Sequence, residues 1–131
     1  MSIEYDILID KKLILAVGSG VVTGSDVTKH LEALAADARY TSPMKKLVDY
    51  RMIDSIRILP EEAYSIAQKK KDYAHIFFGE RCAFVSPRDL AFGTSRVHQA
   101  LVDGADINTE VFRSIDDAMD WLGVKLDLEN G

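Results

Sequence analysis

Three short apolar runs, MKKLVDY (44–50), RCAFVS (81–86) and TEVFR (109–113), are each set apart from the next by one amphipathic stretch of helical length. That spacing constrains the chain more than any other feature. Strands joined through a helix cannot form a hairpin, so they lie parallel in one sheet with right-handed crossovers. The helices announce themselves at their starts. Pro60 falls at a first helical position with Glu61 and Glu62 behind it, and Ala63, Ile66, Ala67, Ala74 and Phe77 form an apolar stripe to about residue 77, before Gly79. Ser86–Pro87–Arg88–Asp89 reads as an N-cap serine, an N1 proline and an acidic N3 residue, with Leu90, Thr94, Val97, Leu101 and Val102 facing inward. Ser114 with Asp117 opens a last helix whose inner residues are Ile115, Ala118, Met119 and Leu122.

The N-terminal part differs. IEYDILI (3–9) and KLILAVGSGVV (12–22) flank only Asp10–Lys11, which suits a hairpin. Thr23 and Asp26 then form a capping box for a helix over about 25–38, with Val27, Leu31, Leu34 and Ala38 at helical spacing. The order ββαβαβαβα predicts an α/β fold: a five-stranded, mostly parallel sheet with an antiparallel first strand and four helices. It fills one domain, 1–131, and the tail KLDLENG (125–131) is expected to be loose or a short edge element.

A hydrophobic share of 47% supports a real core, and a net charge of −5 argues against nucleic acid as a partner. Lys69–Lys70–Lys71 reads as a solvated helix face. The single cysteine, Cys82, excludes an internal disulfide and, alternating with Phe84, is expected to be a small buried hydrophobe. The start MSIEYDILID lacks the basic and apolar regions of a signal peptide, and no apolar run spans a bilayer, so no membrane span and a cytoplasmic location are expected.

Several stretches carry a family resemblance: ID–KKLI at the hairpin, GVVTGSD into the first helix, KLVDYR, CAFVSPRDLAFGTSRVHQA and EVFRSIDDAMDWLG. Through them the chain resembles the STAS superfamily of anti-sigma-factor antagonists, and more closely the small bacterial proteins called SpoIIAA-like. The resemblance implies a β–α superhelical domain without catalytic activity, acting as a binding or regulatory module. In antagonist STAS domains a serine in Asp-Ser-Ser-Gly is phosphorylated. The matching position here is Ser55, after Asp54, but Ile56 and Arg57 replace the second serine and the glycine. Pro60 also sets the helix start about five residues downstream, away from the N–H groups that favour phosphate. The plain alternative is a hydroxyl in a polar loop.

Other motifs thin out. Gly18, Gly20 and Gly24 depart from dinucleotide-loop spacing and suit close packing or a bulge. His30, His75 and His98 lie on different helical stretches without ligand spacing, so no metal is expected. No cofactor and no nucleophile–base pair emerges, and an enzyme is not expected.

One constellation survives. Ligands of parallel sheets bind beyond the carboxyl ends of the strands. Asp49 and Arg51 follow the third strand, Ser86 and Arg88 the fourth, and Arg113 the fifth, with residues 51–59 read as a crossover loop. These five are the candidate ligand-binding residues, an edge suited to an anion or an acidic protein partner. The alternative is that the arginines pair with neighbouring acids on a solvated rim. A second functional reading, by analogy with Sec14-type relatives, is a carrier or sensor of a small apolar ligand, which requires a cavity of several hundred Å³. Leu8, Leu13, Phe92 and Trp121, if they reach the surface, would offer an apolar patch for a homo-oligomer.

Overall fold

The computed structural model describes residues 2–126, without the side chain of Leu90. The expectation for the tail from 127 onward, and the inward placement of Leu90, lie outside the described residues. The chain runs β1 (Ile3–Leu8), β2 (Leu13–Thr23), α1 (Gly24–Ala35), β3 (Lys45–Arg57), α2 (Pro60–Asp72), α3 (Ala74–Phe77), β4 (Glu80–Val85), α4 (Asp89–Leu101), β5 (Ile107–Phe112) and α5 (Ile115–Leu122). A 3₁₀ turn, Ile9–Lys11, closes the β1–β2 hairpin, and Lys12 after it takes a left-handed conformation. The sheet order is β1-β2-β3-β4-β5, with β1 antiparallel and every other pair parallel, as the spacing predicts.

Strand alternation divides the core between the two faces. On one face Ile14, Val48, Tyr50 and Cys82 meet Leu31 and Leu34 of α1, Ile66 of α2, Phe77 of α3 and Ala91 of α4. On the other, Leu13, Leu47, Ala83 and Val85 meet Ala118 and Leu122 of α5. Each fully buried leucine there contributes roughly 1.5–3 kcal/mol of transfer free energy, which explains how an eight-residue helix stays seated. The Thr23–Asp26 capping box is complete. The hydroxyl of Ser114 accepts from the Asp117 N–H.

Six expectations are corrected. The helix foreseen over 60–77 is two, broken at Tyr73, so the described residues form five helices, four of them long. The third strand does not end near Tyr50: β3 runs to Arg57, so Asp49 and Arg51 lie within it rather than beyond it. Ser86 caps nothing. The first helical residue of α4 is Asp89, its N-cap is Arg88, and no side chain caps it. Lys70 is buried in the middle of the supposedly solvated lysine run, and Val97 is exposed rather than inward. Leu13 is fully buried and drops out of the foreseen apolar patch, whereas Leu8, Phe92 and Trp121 are half-buried, Leu8 and Trp121 against the α5 cluster.

Candidate functional site

Because β2 and β3 are long and β4 is short, the sheet has a stepped end. Pairing of β3 with β4 stops at Asp49 and Val85, while β3 continues beside β2 until Thr23 meets Arg57. The five candidate residues gather around this step. Asp49 is buried, and its carboxylate accepts from the Arg51 backbone N–H at 3.0 Å, from Nε at 3.0 Å and from Nη2 at 2.9 Å. This fork fixes the Arg51 guanidinium against its own strand. Beyond the step, Arg88 donates from Nη1 to the Asp54 carbonyl at 3.0 Å, tying the start of α4 to the projecting ribbon. No carboxylate lies within ion-pair reach of Arg88 among the described residues.

Arg113, one residue after β5, reaches the same helix start. Its Nη1 donates to Asp89 Oδ1 at 2.8 Å and to the Pro87 carbonyl at 3.2 Å, and its guanidinium lies 4.2 Å from the Phe92 ring centre. Two guanidinium groups thus bracket the uncapped first turn of α4. Asp89, the acid that Arg113 pairs with, is almost fully exposed, so this pairing is worth little in water. Ser86 is fully buried, its hydroxyl 3.2 Å from that of Ser95, and braces the β4–α4 turn from inside. Ser55 is half-buried within β3, paired with Val21, and stands apart from the α2 N-terminus at Pro60.

The sequence reading missed a second group of polar residues inside the fold. On the face under α2, Glu80 is fully buried. Its Oε1 accepts from Lys70 Nζ at 2.6 Å and its Oε2 from the Tyr40 hydroxyl at 2.6 Å. Burial alone would raise the Glu80 carboxyl; the Lys70 and Lys46 ammoniums more than offset it and hold the group below its usual range. Burial would likewise depress Lys70, and Glu80 outweighs it. Burial, then Glu80, pushes the Tyr40 hydroxyl up. A signal was present: Lys70 sits on the helical stripe of Ile66 and Ala67, and Lys46 alternates with Val48 and Tyr50.

An apolar cavity between the helices and the sheet, reached by Tyr50, Ile66, Phe84 and His98, has a volume of ≈ 40 Å³. That is room for water-sized guests, far below the several hundred Å³ typical of small-molecule pockets. Among the described residues no cluster of His, Cys, Asp and Glu could hold a metal, and no helix is long and apolar enough to cross a membrane.

A mixed sheet with this order, four helices on one face and α5 on the other, defines an α/β domain with a SpoIIAA-like fold. It is similar to the crystal structure of an uncharacterized protein from the DUF3478 family with a SpoIIAA-like fold, from Shewanella loihica PV-4. The TM-score is 0.57 at 21% identity, over 92% of this chain and 91% of that one. Neither a family model nor a curated protein matches the sequence.

Proposed function

We propose that this chain is a non-catalytic STAS-like regulatory or interaction domain. It recognises an anionic group, a carboxylate or phosphate carried by a protein partner, at the stepped end of its sheet. The observation that carries the reading is the pair Arg88 and Arg113 on either side of the uncapped α4 start, where the acid paired with Arg113, Asp89, is solvent-exposed. Free N–H groups at a helix start and two guanidiniums favour a tetrahedral or planar anion. In this reading Arg88 and Arg113 supply the charge. Asp49 holds Arg51 at the step, and buried Ser86 braces the turn without touching the ligand.

Inorganic phosphate is the simplest probe. It is expected to raise the melting temperature of the native protein at low ionic strength, with the rise fading as salt is added. Arg88→Ala and Arg113→Ala are expected to remove most of that rise, and Arg51→Ala less, since its guanidinium is committed to Asp49. An identical phosphate-dependent shift in the native protein, Arg88→Ala and Arg113→Ala would overturn the assignment.

A further inference from the structure

Lys46, Lys70 and Glu80 set two ammonium groups against one carboxylate beneath the helical layer, and that carboxylate is already committed. Lys70 takes one oxygen and Tyr40 the other. Lys46 is only 3% exposed, yet among the described residues it donates no hydrogen bond and joins no ion pair. It cannot turn away, because strand alternation puts it on the same face as Val48 and Tyr50, in register with Ile14 and Cys82. Every element around it brings a titratable group: His30 from α1, Tyr40 from the segment before β3, Lys70 from α2, Glu80 and Cys82 from β4, and His98 from α4. A buried charge without a partner is costly, and a like charge nearby adds to the cost.

We propose that Lys46 is a proton-operated latch on the helical layer: protonated, it opposes Lys70 beside a carboxylate that Lys70 and Tyr40 already hold and loosens α2 and α3 from the sheet; neutral, it lets them close. The force acts on α2 directly, since Lys70 belongs to it. It reaches α3 through Phe77, whose ring centre lies 4.7 Å from Lys70 Nζ and 5.1 Å from the Tyr40 ring. Helix α5, on the opposite face, is outside its reach. Between pH 7 and 9 the surrounding groups hold their charge. Burial keeps His30 neutral down to about 2 and His98 down to about 3, and it raises the Cys82 thiol to about 11. Lys46 is the group that changes, brought to about 8 by burial and then by Lys70.

Amide hydrogen exchange of the full chain at pH 7 and pH 9, corrected for intrinsic rates, tests the latch. In the native protein the α2 and α3 amides are expected to be protected about tenfold more at pH 9, as for one pKa unit of linkage, with α5 unchanged. Lys46→Met is expected to show the closed level at both pH values. Equal protection of α2 at the two pH values, an equal response in α5, or a Lys46→Met protein that keeps the native pH dependence would each overturn the proposal. Should Lys46→Met not fold, the ¹³Cε resonance of Lys46 in the native protein decides. A midpoint near 8 supports the latch, and one near the ordinary 10.5 ends it.

Discussion

His30 lies edge-on to Tyr5, ring centres 5.3 Å apart, and neither of its nitrogens has a hydrogen-bond partner among the described residues. Burial, with Lys46 and Lys70 nearby, holds its pKa down at about 2 against an ordinary 6.5. The unfolded chain therefore binds a proton that the folded chain refuses throughout that interval. Stability from this group is complete above 6.5 and falls steadily as the pH drops below it, by about 1.4 kcal/mol per pH unit. His98 adds in the same direction, since burial brings it to about 3. Urea titrations between pH 7 and 4 are expected to show this loss, and His30→Leu to lessen its slope by one group's share; an unaltered slope would place the acid sensitivity elsewhere. Of the two histidines, only His98, which borders an apolar stripe, was legible as a core residue. Lys46 was not, since a lysine in MKKLVDY looks like strand-end polarity until its alternation with Val48 and Tyr50 is weighed.

The element that departs most from expectation is β3. Its inward residues beyond the step are Tyr50, Ile53 and Ile56, three apart rather than two. Irregularities opposite Val17–Ser19 and Gly20–Val21 reset the alternation twice. A period-two reading therefore fails at Asp54 and Ser55, and the stretch passes for a loop. The glycines of β2 were legible as a packing or bulge feature, and both uses occur. Gly20 takes φ +62 beside the second irregularity. A Cβ on Gly18 would stand 2.7 and 2.9 Å from two Tyr50 ring carbons and 3.1 Å from Ile53. Tyr50 is buried against Phe84, with ring centres 5.9 Å apart, so admitting a Cβ requires its ring to shift. Gly18→Ala is expected to cost roughly 1–3 kcal/mol by chemical denaturation. Combined with Tyr50→Leu, it should cost less than the two separate losses added, because the clash is then gone. Strict additivity would mean the strand shifts instead.

At the scale of the whole molecule the two faces of the sheet are stabilised differently. The α5 face is apolar: Leu13, Leu47, Ala83 and Val85 under Ala118 and Leu122. The opposite face carries four helices and, inside them, the Lys46–Lys70–Glu80–Tyr40 group. Crossover order was readable because caps and apolar stripes are local signals. The buried charges left only a local trace, in the stripe position of Lys70 and the alternation of Lys46, because the helices that enclose them come together only in the fold. Losing one member of such a group should therefore cost more than its own hydrogen bonds. Glu80→Gln leaves Lys70 and Lys46 as two enclosed cations without a counter-charge, and a loss of roughly 3–5 kcal/mol is expected in urea denaturation. Adding Lys46→Met removes one of those cations, so the double variant is expected to recover part of that loss, a coupling well outside additivity. A Glu80→Gln cost below about 1 kcal/mol, the level of an exposed pair, would mean that water reaches the group and that the helical face is not sealed.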